Sequence, residues 1–327
     1  MLRTIHFIAG LPRSGSTLLC NLLAQNPRFH TTSTSGIITV VRMVHDRWRD
    51  IFGNDTHPAA RADRARVMGA VLHCYHDEPL EPKPVIFDKS RGWLGQLDMA
   101  EMALGRKVKV LVCVRDVRDV LASFEKLWRK NAATWAQGQE LGYYSKWQTI
   151  AGRCEVLMRA DQVVGSAYRR IKRALVDGYR DRMHFVEFEK ITANPREVMR
   201  GVYAFLGEEW FEHDFDNVEQ VTTEDDFMHG IPGLHTIRQK IEPVPSQWEK
   251  YLGEAGERYK RFNNLWRGLV DGTQAPAYLP GERKAAQGGV TGFGGDRVNE
   301  VGAEDGDELD EADALEAGAA AEGDDER

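Results

Sequence analysis

The sequence predicts an α/β protein in which a central, mostly parallel sheet is flanked by helices in three layers. Three observations predict it. The apolar run Ile5-His6-Phe7-Ile8-Ala9 breaks into Gly10-Leu11-Pro12-Arg13-Ser14-Gly15-Ser16-Thr17 and resumes at Leu18-Leu19 with helical spacing, which reads as strand, phosphate loop and helix. The β-branched run Val108-Lys109-Val110-Leu111-Val112-Cys113-Val114 reads as a buried strand that ends in Arg115. Short apolar runs at 85–89 and 183–188 stand between helical patterns, the alternation that builds parallel sheets. The first of these makes the expected fold a P-loop type.

Gly10 to Thr17 follow the Gly-x-x-x-x-Gly-x-Ser/Thr spacing, in which small residues let successive backbone N–H groups converge on an anion at a helix N-terminus. A loop that transfers a γ-phosphate carries lysine just before the final Ser/Thr. Here that position is Ser16, and the loop's cation is Arg13. After the second strand, Asp116 is placed to cap a helix that carries Ser123, eight residues beyond Arg115.

Pro12-Arg13-Ser14-Gly15-Ser16-Thr17 resembles the 5′-phosphosulfate loop of the sulfotransferases that use 3′-phosphoadenosine-5′-phosphosulfate, closest to the Pro-Arg-Ser-Gly-Thr-Thr form of tyrosylprotein sulfotransferases and bacterial relatives. Val114-Arg115-Asp116-Val117-Arg118-Asp119-Val120 is similar to the same family's Arg-Asn/Asp-Pro-x-Asp-Val signature. The resemblance implies that Arg13, Ser14, Gly15, Ser16 and Thr17 take the 5′-phosphosulfate and that Arg115 and Ser123 hold the 3′-phosphate. It also implies that Lys89, at the end of the run 85–89, meets the sulfuryl group, so Arg13 and Lys89 are the expected catalytic cations. A basic loop late in the family's chains closes over the 3′-phosphate, which makes Arg238 and Lys240 further candidates.

Along the chain, the first helix ends at Asn26-Pro27, where proline disfavours continuation. Residues 29–35 are a Thr/Ser stretch read as a short strand or active-site loop. Residues 37–52 and 58–74 are helices with basic faces (Arg42, Arg47, Arg49; Arg61, Arg64, Arg66), and a further helix follows Lys89 to about Gly105. Weakly periodic residues 131–143 read as an acceptor lid, 144–179 as one long helix, and 247–269 as a terminal helical segment. Phe188 stands where relatives carry a tyrosine against the adenine, and Asn194-Pro195 opens a helix ending near Gly207.

Formal net charge is −7 over 327 residues, but 301–327 holds twelve Asp/Glu and one Arg, a net of −11, so the remainder carries −7 − (−11) = +4. Hence one folded domain is expected over 1–280 and a disordered acidic tail over 281–327. The mildly basic body suits an anionic cofactor and is too weakly charged to argue for nucleic acid. No run approaches a membrane span and no signal peptide precedes the first strand, so the expectation is a cytoplasmic protein. Cys20, Cys74, Cys113 and Cys154 lack paired spacing, and no metal is expected. His73 and His76 with Cys74 and Asp77 read as an ordinary helix terminus.

Sulfuryl transfer needs positioned reactants and cations on the equatorial oxygens, with little covalent work for the protein. A general base is harder to place. Tyrosylprotein sulfotransferases have a Glu in the segment matching 31–35, where this chain has Ser and Thr. Cytosolic relatives have a His two residues after the strand-end lysine, where this chain has Arg91. His45, Asp46 and Asp88 remain. The acceptor, whether small molecule, glycan or peptide, is not specified by any motif. Two other functions fit parts of the pattern: a P-loop kinase or nucleotidase, and a catalytically inactive relative that binds the cofactor.

Overall fold

The computed structural model describes residues 3–53, 57–77, 83–130, 144–224, 226 and 235–268. The expected lid at 131–143 and the acidic tail at 281–327 lie outside them. Five strands form one sheet: β1 (Thr4–Gly10), β2 (Phe29–Thr34), β3 (Val85–Lys89), β4 (Val110–Val114) and β5 (Met183–Glu187), ordered β2-β3-β1-β4-β5. Every pairing is parallel, so the sheet is wholly rather than mostly parallel among the described residues. Parallel strands need crossovers that cover both faces, which explains why β3 and β4 are buried along their whole length.

The crossovers contain α1 (Ser16–Ala24), α2 (Ile37–Phe52), α3 (Pro58–Tyr75), α4 (Leu97–Leu104), α5 (Val117–Lys130), α6 (Tyr144–Trp147), α7 (Ile150–Leu157) and α8 (Val163–Val176), and α9 (Phe188–Ala193) and α10 (Pro195–Leu206) follow β5. One face of the sheet packs Leu18, Leu19, Leu22 and Leu23 of α1 with Met199, Val202 and Leu206 of α10. The other carries the larger core, including Phe7, Trp93, Val120, Leu121, Tyr168 and Phe262. No helix among the described residues is long and apolar enough to cross a membrane.

Two expectations are corrected. The single helix over 144–179 is three helices, with corners that require glycine: a Cβ at Gly152 would stand 2.0 Å from the Lys146 carbonyl oxygen, and one at Gly165 1.8 Å from that of Arg159. Thr149 starts α7 by accepting from the Gly152 N–H at 3.0 Å. The terminal segment is likewise divided, into α11 (Trp248–Leu252), a 3₁₀ stretch (Gly253–Asn263) and α12 (Asn264–Arg267). It is held by Asp119, which accepts from the N–H groups of Gln247 and Trp248, and by Arg267, 3.0 Å from Glu187.

Candidate active site

The carboxyl ends of β1, β3 and β4 lie side by side, which is where open parallel sheets place ligands. β1 delivers the phosphate loop. Gly10 has φ +132, and a Cβ there would meet the Cys113 carbonyl oxygen at 2.0 Å, so β1 and β4 approach as closely as they do only because this residue is glycine. Gly15 takes φ +85 as the N-cap of α1 and gives it no side-chain cap, leaving the first-turn amides to the loop's concave side. Ser16 begins the helix and Thr17 is buried behind it. The Ser14 hydroxyl is spent on the carbonyls of Leu11 and Cys113, so Ser14 offers a ligand its backbone rather than its side chain.

Arg13 adopts φ +58, a left-handed conformation that costs a non-glycine residue on the order of 1–2 kcal/mol. The strain accompanies a specific placement. Its Nε donates to Ser123 Oγ of α5 at 3.2 Å, and its carbonyl accepts from Arg115 Nη1 at 3.3 Å. Arg115, at the end of β4, stacks 4.5 Å over the ring of Phe188, and that ring also faces Gly15. Asp116 caps α5 as expected, accepting from the Arg118 N–H at 2.9 Å. The loop, Arg115, Ser123 and Phe188 are therefore one cluster. Burial followed by the neighbouring Arg115 holds the Arg13 guanidinium below its usual range, with Asp226 opposing. Burial lowers Arg115 too, against the pull of Asp119, Glu189 and Asp116. Two half-withdrawn cations, one of them depressed by the other, are relieved by an anion, and this is how the cluster fits phosphate chemistry.

Lys89 ends β3 with its side chain only 7% exposed. Its N–H donates to Thr32 Oγ1 at 2.9 Å, and its ammonium pairs with Glu224, whose side chain is 5% exposed. Glu224 comes from a segment that the sequence left unassigned. Asn21, a polar residue within the apolar face of α1, accepts from the N–H groups of Val221 and Thr222 and donates to Thr222 Oγ1. Ser33 of β2 bonds the Thr223 carbonyl, and the Thr34 N–H and hydroxyl donate to Glu224 Oε1 at 3.0 and 3.2 Å. Asp226 follows, 2.6 Å from His235 Nδ1. The lone Asn in a leucine-rich helix was the available signal, and it does not say which segment it binds.

Burial pushes the Glu224 carboxyl up, but the charge and hydrogen bond of Lys89, with His235 and Thr34, outweigh it and hold the group below the usual carboxylate range. Burial lowers His235, with Asp226 and Glu224 opposing.

Of the earlier base candidates, Asp88 is fully buried and bound to Trp93 Nε1 at 2.5 Å, with His76 Nε2 at 3.1 Å, so it is a core group. His45 and Asp46 pair with each other on α2. Lys240 is exposed, 3.5 Å from Asp216 and 3.8 Å from Glu242, and Arg238 is exposed nearby in sequence. Among the described residues no group of three or more His, Cys, Asp or Glu could hold a metal ion.

A glycine-containing loop at one strand end, with an arginine and a serine from the adjacent strand-helix unit, marks an α/β protein whose cations gather at the carboxyl edge of a parallel sheet. The chain belongs to the sulfotransferase family, whose pattern matches residues 6–212. It is similar to the sulfotransferase domain from the curacin biosynthetic pathway, at 17% identity and TM-score 0.47 over 82% of this chain and 98% of that one. The sulfotransferase domain of the Synechococcus PCC 7002 olefin synthase gives 18% and 0.44 over 84% and 96%. Retinol dehydratase, solved with androsterone and the inactive cofactor PAP, gives 18% and 0.43 over 85% and 84%. No curated protein matches the chain.

Proposed function

We propose that this sulfotransferase moves a sulfuryl group from 3′-phosphoadenosine-5′-phosphosulfate to a hydroxyl or amine acceptor. The observation that carries the cosubstrate is the convergence of Arg13, Arg115 and Ser123 beside the uncapped start of α1. In this reading the amides of Ser14 to Thr17 take the 5′-phosphosulfate, and Arg115 and Ser123 take the 3′-phosphate. The Phe188 ring, already under Arg115, lies toward the adenine. Arg13 has forked donors suited to a tetrahedral oxyanion. Lys89 stands at the next strand end to steady charge on the departing phosphate. Arg238 and Lys240, exposed beyond His235, stay candidates for closing over the 3′-phosphate. The tyrosylprotein form of the loop motif makes a phenolic hydroxyl the first acceptor to try.

The test is a thermal shift with adenosine 3′,5′-bisphosphate against ATP, followed by transfer from labelled phosphosulfate to phenols, alcohols and amines. We expect a shift with the bisphosphate well above that with ATP, and label on at least one acceptor class. An equal or larger ATP shift returns the kinase reading. Bisphosphate binding without transfer to any class leaves a cofactor-binding relative.

A further inference from the structure

The chain lacks a carboxylate in 31–35 and a histidine at position 91, yet a carboxylate stands at the end of β2 and β3 all the same. Glu224 reaches it from about 190 residues downstream and binds Thr34, within the segment where the base was sought. Its other partner is the strand-end lysine itself. We propose that Glu224 is the general base for the acceptor, masked by Lys89 before the cofactor binds and released when the cofactor's anion takes Lys89. This rests on the sulfuryl-transfer reading above.

The placement follows from contacts on three elements. Asn21 of α1 fixes residues 221 and 222, Ser33 of β2 fixes residue 223, and Thr34 aims one carboxylate oxygen of Glu224. The charged and titratable groups around it are Lys89 from β3, His235 and Asp226 from its own segment, and Cys20 from α1. Burial pushes the Cys20 thiol up to about 12, so it is neutral there. Lys89 is the largest of the influences that hold the carboxylate ionised, ahead of His235 and Thr34. With it, the carboxylate is held ionised and weakly basic. Without it, burial dominates and the carboxylate gains proton affinity.

The ammonium has three donors and can hold both partners, but the cofactor's anion shares its charge and brings a second negative charge toward Glu224, so the hold of Lys89 on the carboxylate weakens. Cofactor binding and base activation are thereby coupled. In the step that follows, the acceptor O–H (or N–H) bond breaks and its proton passes to Glu224. The acceptor lone pair forms the new bond to sulfur, the bridging S–O bond breaks, and its electron pair stays on the 5′-phosphate oxygen beside Lys89. His235 is the competing base. Its Nδ1 is bound to Asp226, whereas the Glu224 carboxylate itself touches the strand-end lysine.

The experiment is calorimetry of adenosine 3′,5′-bisphosphate binding at about pH 5.5, in two buffers of different ionisation enthalpy. The ligand's two phosphates, with second ionisations at about 6, release protons on meeting the site's cations in every variant, so Glu224 is read as a difference: wild type should release a fraction of a proton less than Glu224→Gln. Glu224→Gln should bind at least as tightly, having no ion pair to break. His235→Asn should keep the wild-type difference. Sulfuryl transfer from labelled phosphosulfate to 2-naphthol, giving the aryl sulfate, or to water in its absence, giving sulfate, should fall roughly 10²–10⁴-fold in Glu224→Gln, with loss of the acid limb of the pH–rate profile.

Equal proton release in wild type and Glu224→Gln overturns the proposal. So does loss of the difference in His235→Asn, or an unchanged rate in Glu224→Gln. Failure of wild type to bind the bisphosphate at all overturns the cosubstrate reading, and this inference with it.

Discussion

Arg13 Nε donates to Ser123 Oγ at 3.2 Å, joining the phosphate loop to α5 across 110 residues of sequence. Arg115 closes the same cluster from the end of β4 by donating to the Arg13 carbonyl. The two strand-loop-helix units thus share side chains as well as a sheet edge. Their cations serve different parts of one ligand in the proposed reaction. Arg115 is assigned to a phosphate that does not react, so Arg115→Ala should weaken bisphosphate binding by about 1.5–3 kcal/mol, the loss of a charged hydrogen bond. Ser123→Ala should weaken it by about 0.5–1.5 kcal/mol. Calorimetry measures both, and unchanged affinity in Arg115→Ala would remove this residue from the site.

Lys89 is expected to act on rate more than on cofactor affinity, because its bond to the bound cofactor is offset by the weakened pair with Glu224, whereas the charge it meets grows as the sulfur–oxygen bond breaks. Lys89→Met alone leaves Glu224 buried without its partner, which costs on the order of 3–5 kcal/mol of stability. Lys89→Met combined with Glu224→Gln removes both charges and should melt closer to wild type. Turnover at saturating cofactor should fall at least 10²-fold in both variants. A wild-type rate in Lys89→Met, with chemistry shown to be rate-limiting, would make the lysine structural.

The parts of the site that were legible in the sequence are those carried by consecutive residues. β1, its loop and α1 form one uninterrupted stretch, as do β4, Arg115 and the helix bearing Ser123. Spacing alone placed Lys89 at a strand end, because a five-residue buried strand has a visible terminus. Glu224 was not legible. Its segment has neither helical nor strand periodicity, and it is positioned by Asn21 and Thr34, about 200 and 190 residues earlier. The three-way division of 144–179 was missed for another reason. Apolar spacing persists through the corners, and only Gly152 and Gly165 mark where the chain must turn against its own backbone. The left-handed conformation of Arg13 has no sequence signal, since the neighbouring Gly15 is the residue expected to supply it.

We propose that residues 1–280 form the catalytic body. Deleting 281–327, a stretch rich in glycine and acidic residues with few apolar anchors, should leave the melting transition and bisphosphate affinity within error of the full chain. Removing its net negative charge should also raise the association rate of an anionic ligand at low salt, and that gain should vanish as salt is added. Loss of cooperative melting on truncation would refute the division.

Buried histidines should contribute to acid sensitivity, beside carboxylates such as Glu224 and Asp116 whose pKa values are held low. His6 on β1 is 3% exposed, and burial, with Arg106 and Lys109 adding to it, lowers its pKa to about 3. Burial lowers His213 to about 4, against a backbone hydrogen bond and Glu212. Both are therefore neutral in the folded chain through most of the acid range, whereas in the unfolded chain they protonate near 6.5. Below that value the unfolded state binds more protons, so stability falls as pH decreases. The contribution is fully present above about pH 6.5 and is lost progressively toward pH 3–4, with a limiting slope of ~1.4 kcal/mol per pH unit for each histidine. Replacing His6 by Phe removes one of these groups while filling the space against Phe87, whose ring lies 5.6 Å away. Urea melts of wild type and His6→Phe between pH 7 and pH 4.5 should show a shallower decline in the variant, by about one histidine's slope at the acid end. Parallel declines in the two proteins would mean that His6 is already protonated in the fold, and that its burial beside Arg106 and Lys109 does not keep it neutral.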